Sequence, residues 1–208
     1  MKATSMHTPL PRLLLLLALW GGIVAAAAAG GLLRRLGPLG VPLLALGFTA
    51  GSILLALRAG WARRAWAAVP LRAILAAHLG RFVGAYFLWL ASRGRLPALF
   101  AERAGWGDIA AAAGALLLLP VPEGRFFRRA LAVWNLIGVA DLLLAVGTAG
   151  WLNRAQPGSM AEMGGFPLAL VPLFAVPVLL TSHGVVARRL GCRRESSSLG
   201  GAPQPGAA

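Results

Sequence analysis

Residues 76–91 read AAHLGRFVGAYFLWLA, a helix-length apolar run that nevertheless holds His78 and Arg81. Extended back to Leu71, the run is long enough to cross about 30 Å of hydrocarbon at about 1.5 Å per residue. A charge at that depth costs at least a few kcal/mol unless it is paired inside the protein. The stretch therefore predicts a membrane span with one polar face turned into a bundle. Composition agrees: of 208 residues, 58% are hydrophobic and only 12% charged. Soluble domains carry about twice that charged share.

Working outward, the apolar residues gather into six solid blocks, at about 13–33, 39–57, 71–91, 109–121, 130–152 and 166–187. Solid blocks exclude a β-barrel, which would show short alternating segments. The expectation is an all-α, polytopic membrane helix bundle with six transmembrane helices, forming one domain over residues 1–191. The opening RLLLLLALW, followed by AAAAAG, is like a signal peptide. Its apolar run exceeds a usual signal core, so a retained helix is expected. LPALFAERAG, residues 96–105, predicts a small interfacial helix stopped by Gly105, with Asp108 capping a short fourth span. The tail over 192–208, containing ESSSLGGAPQPGAA, has no apolar periodicity and is expected to be disordered.

A net charge of +14 would point to nucleic acid in a soluble protein, but here the arginines sit at block ends. There they anchor the chain to a bilayer with anionic headgroups, and no nucleic-acid partner is expected. Lys2, Arg12 and the arginines of the 58–72, 125–129 and 188–194 segments fall on one side. Arg34, Arg35, Arg93, Arg95, Arg103 and Arg154 fall on the other. The richer side is cytoplasmic, which places both termini there and the chain in a bacterial inner (plasma) membrane. Cys192 stands alone, excluding an intrachain disulfide and any multi-cysteine metal motif.

Helix rise then locates the polar groups. His78 lies about 9 Å and Arg81 about 13 Å inside the third span; Asn135 lies about 9 Å and Asp141 about 18 Å inside the fifth. His183 lies about 7 Å from the same surface on the sixth span, beside Thr181 and Ser182. An Arg81–Asp141 ion pair is expected, with His78, Asn135 and His183 completing a polar pocket open to the cytoplasm. The structural alternative is a salt bridge that only fixes helix register. Gly80 and Gly84 have GxxxG spacing for close helix approach. Pro167, Pro172 and Pro177 predict a kinked or locally open last span.

His78–x–x–Arg81, the LP and AGWGD segments, WN with Asp141, and a proline-rich span ending in His183 together resemble uncharacterised six-span bacterial integral membrane proteins. That resemblance covers about 72–190 and implies a fold, with no activity. The leading reading is a pocket that binds a small solute or relays protons. A second reading pairs His78 and His183 as ligands of haem b or a metal, although no cofactor is the first expectation. A third is a scaffold or assembly factor, docking a membrane partner or a second copy through Leu96–Ala104 or the loop Trp61–Arg72. Enzymatic activity has the least support: the sequence has no HExxH, nucleophile elbow, phosphate loop or carboxylate cluster.

Overall fold

A computed structural model describes residues 9–199, and every regular element among them is helical. α1 (Pro9–Ala29) ends at a glycine turn, where Gly31 takes a positive φ of 69°. A 3-10 turn at Leu33–Leu36 leads into α2 (Gly37–Arg58). The short α3 (Gly60–Ala68) buries Ala62, Ala65 and Trp66 and leaves Arg63 and Arg64 exposed. The Arg12 guanidinium, 4.6 Å above the Trp61 ring, ties α1 to it. Extended backbone at Val69 and Pro70 then stops α3.

The apolar run that holds His78 and Arg81 forms one rod, Leu71–Ser92. It comprises α4 (Leu71–Ala77), a 3-10 stretch His78–Val83 and α5 (Gly84–Ser92). α6 (Ala98–Leu118) follows Pro97, and α7 runs Arg125–Ala155. Turns and a 3-10 segment at Ala161–Gly164 lead to a π-helical turn, Val171–Ala175, and α8 (Val176–Leu199). The irregular backbone expected of the proline-rich last span is this π turn, with Pro172 at its start.

Five helical stretches are long and apolar enough to cross a membrane: α1, Leu39–Arg58, Leu71–Ser92, α7 and Val171–Gly191. Five such helices mark a multi-pass membrane protein. The expected fourth block is different. Instead of an interfacial helix stopped at Gly105 and a separate span capped by Asp108, α6 is continuous from Ala98 to Leu118. Gly105 does not end it because that glycine is where α5 crosses. A Cβ there would meet the Gly84 carbonyl oxygen at 2.9 Å and Leu88 Cγ at 3.0 Å. Packing from outside overrides the local preference for a stop. Glu102, Arg103 and Asp108 lie close together in α6, so every span-length stretch of that helix holds all three charges.

α8 continues through Leu199, so residues 192–199, expected as tail, have helical backbone, and residues 200–208 lie outside the described residues. The main core joins Leu75, Phe127, Leu131, Trp134 and Val186 between α4, α7 and α8. A second group packs Phe87, Leu90, Phe100 and Leu152 between α5, α6 and α7. α2 packs on α8 and α3 and barely reaches α7.

Candidate functional site

The site begins with a departure from α-helical winding. In a 3-10 helix residues three apart eclipse one another, so His78 and Arg81 project from the rod on one line. Both are buried, at 0% and 2% exposure, which puts a full guanidinium in the protein interior. The same winding separates Gly80 from Gly84, which an α-helix would have kept on one face. Gly80 has nothing within 4 Å of a would-be Cβ, whereas at Gly84 a Cβ would lie 2.9 Å from Asp108 Cβ and would overlap the Gly105 carbonyl. The expected GxxxG contact is therefore made by Gly84 alone, against Gly105 of α6.

Arg81 is held from three directions. Its Nε donates to Asp108 Oδ1 at 2.7 Å, its Nη2 donates to Asp141 Oδ2, and its Nη1 donates to the Gly138 carbonyl at 3.4 Å. The Arg81–Asp141 pair is the one the sequence predicts. Asp108 is the group that reading missed, having been assigned to a helix cap. The signal was available: Ala101, Ala104, Gly105, Asp108, Ala111, Ala112 and Ala115 recur at three- and four-residue steps. They form the buried stripe of α6. Glycines make the necessary room. A Cβ at Gly107 would collide with the Asp141 carboxylate, and one at Gly138 would lie 2.5 Å from His183 Cε1 and 3.4 Å from Arg81 Nη1.

Beside this triad lies a layer of two imidazoles, an amide and a hydroxyl. His78 Nε2 hydrogen-bonds Ser182 Oγ at 3.0 Å, and His183 Nδ1 hydrogen-bonds Asn135 Oδ1 at 2.9 Å. The two imidazoles are in contact, with centroids 4.5 Å apart, and Trp134 packs at 4.8 Å from one and 5.1 Å from the other. Trp134 is fixed by its Nε1 donating to the Ala111 carbonyl at 2.9 Å. His78 Nδ1 and His183 Nε2 are buried with no hydrogen-bond partner. Thr181 turns away to α2, where its hydroxyl shares a 2.9 Å hydrogen bond with Ser52.

All five residues singled out from the sequence thus converge: Arg81 with Asp141, His78 with His183, and His183 with Asn135. The haem reading does not fit them. Two imidazoles ligating one iron through bonds of about 2 Å hold their ring centres about 6 Å apart with the macrocycle between. Rings 4.5 Å apart leave no such slot. Among the described residues no three of His, Cys, Asp and Glu gather as a metal site would need.

The open space lies elsewhere than expected. A cavity of 850 Å³ runs between α2 and the inner helices, and of the five residues only Arg81 lines it, joined by Asp108. From those two groups it extends past Leu46, Leu142, Val146 and Phe174 to Arg34, Asn153 and Met160. That is the end of the bundle opposite Arg72, Arg128 and Arg189. The polar cluster is packed solid toward those arginines and meets open space on its other side. A pocket open toward the arginine-rich end is therefore replaced by an apolar cavity with an ion pair at its inner wall.

Among known proteins, one family model, described as a domain of unknown function (DUF8737), matches residues 38–191. No curated protein and no solved structure matches the chain.

Proposed function

This chain belongs to the DUF8737 family, and we propose that it binds a small amphipathic solute in the α2-side cavity and balances that solute's charge with a proton. One observation carries the reading: the 850 Å³ cavity is walled by apolar side chains yet has Arg81 and Asp108 at its inner end. Pockets of this size and character suit a small ligand whose polar group is oriented by a few fixed charges. The charge count gives the solute its class. One guanidinium faces two carboxylates, Asp108 and Asp141, beside histidines with no ion-pair partner. The excess carboxylate requires either a bound proton or a cationic group. A protonated amine on an apolar body satisfies it, and release of that amine calls for a proton in its place.

In this reading α6 also crosses, as the fourth of six spans, and the arginine-rich end is cytoplasmic, as the distribution of basic residues supports. The membrane is then a bacterial inner membrane and the cavity faces its outer half. Arg81 orients the carboxylates, Asp108 meets the solute at the cavity wall, Asp141 takes the proton, and His78, Asn135 and His183 hold the layer behind them. The test uses protein reconstituted in liposomes with an internal pH-sensitive dye and a panel of lipophilic amines and lipophilic acids. Amines are expected to drive a dye response that Asp141→Asn abolishes while insertion is retained. An identical response to amines and acids, or in the variant, overturns the reading.

A second reading, proton passage with no solute, is favoured by the unpartnered His78 Nδ1 and His183 Nε2. It predicts a dye response without any amine, lost in His183→Gln.

A further inference from the structure

At the other end of the bundle a second hollow, of 710 Å³, gathers Arg72, Arg128 and Arg189 around a single carboxylate, Glu123. Each guanidinium is already aimed. Arg72 donates to the Leu119 carbonyl and, at 3.2 Å, to that of Val121, at the end of α6. Arg189 Nη2 reaches the carbonyls of Trp66, Ala67 and Val69, at the end of α3, at 2.5, 3.1 and 2.7 Å. Arg128 Nη2 donates to the Leu190 carbonyl at 3.3 Å.

Carbonyls at helix ends fix these side chains in place with partial charge but supply no full anion. Among the described residues the three ion pairs are Arg81 with Asp108, Arg81 with Asp141, and Arg95 with Glu162. None of the hollow's arginines belongs to one. A pocket with three guanidiniums against one carboxylate is short of anionic charge, and each planar fork keeps further N–H donors for oxygens. The remaining wall is apolar, with Leu71, Phe127, Leu131 and Val186 leading inward.

We propose that this hollow binds a phosphate group, as part of an anionic phospholipid headgroup or of a soluble phosphate compound. The phosphate oxygens would complete the donors of Arg72, Arg128 and Arg189 by charge-assisted hydrogen bonds. Glu123 then acts against the ligand and limits its affinity. The site is independent of the solute cavity, and its test does not involve amines or proton flux.

The experiment places the full chain in phosphatidylcholine nanodiscs. It measures thermal unfolding and lipid retention by native mass spectrometry as phosphatidylglycerol or, separately, inorganic phosphate is added. Arg128→Gln is expected to lower selective retention or protection about fivefold, Glu123→Gln to raise it, and Arg103→Gln, at the far end of α6, to leave it unchanged. Protection by phosphatidylglycerol alone identifies a headgroup, and protection by inorganic phosphate identifies a soluble ligand; both support the site. If Arg128→Gln fails to fold, Glu123→Gln decides. No anion preference in the wild type, or none altered by Glu123→Gln, overturns the proposal and leaves the arginines as helix caps.

Discussion

The first two helices and the inner helices are built from nearly the same apolar residues, yet they meet different surroundings. α1 exposes Leu14, Leu15, Leu19 and Ile23, and α2 exposes Leu39, Leu43 and Leu46. Only 17% and 6% of their most apolar stretches are buried inside the protein, against 39% for the Leu71–Ser92 rod and 50% for Val171–Gly191. In a soluble protein such leucines would define the core; in hydrocarbon they are equally content outside it. What distinguishes inside from outside here is the polar or small residue. The inner helices carry His78, Arg81, Asp108, Asn135, Asp141 and His183, with Gly84, Gly105, Gly107 and Gly138 making space for them.

The contrast can be broken most severely at its centre. Arg81→Leu strands the buried Asp108 and the half-buried Asp141 and is expected to cost about 3–5 kcal/mol in unfolding experiments in detergent or nanodiscs. Arg81→Leu combined with Asp108→Asn and Asp141→Asn should recover much of that loss, because no unpaired charge remains. Leu90→Ala, which empties a fully buried position, should cost about 2–5 kcal/mol by the same measurement. Gly84→Ala, forced against the Gly105 carbonyl, should cost about 1–3 kcal/mol. Gly80→Ala, with open space around it, should be near neutral; equal losses at the two glycines would refute the 3-10 winding. At the lipid-facing extreme, Leu43→Ala should change stability by less than about 0.5 kcal/mol. A loss there as large as at Leu90 would mean that α2 packs against something further.

The same contrast explains what the sequence made legible. The Arg81–Asp141 pair and the gathering of His78, Asn135 and His183 could be anticipated because a charged side chain in an apolar run must find a partner. Asp108 escaped because it stands next to two glycines near the expected start of a short span, where a helix cap is the ordinary role. Its true role depends on α5 crossing α6 at Gly105, a tertiary contact with no local signature. The cavity was equally hidden. It exists because α2 packs on α8 but stands off from α7, and nothing in a run of leucines records the distance to the next helix. Six crossings were expected where five stretches meet the physical requirement without help, and the difference is again α6, with Glu102, Arg103 and Asp108.

The 3-10 stretch at His78–Val83 has one more consequence, which concerns length. Those residues rise about 2.0 Å each where an α-helix would rise about 1.5 Å, so the rod is about 3 Å taller than its residue count suggests. Rewinding it into a uniform α-helix would shorten the crossing by that amount and swing the imidazole of His78 about 60° away from the guanidinium. The length of the crossing and the alignment of the buried imidazole with the buried guanidinium are thereby set by the same six residues.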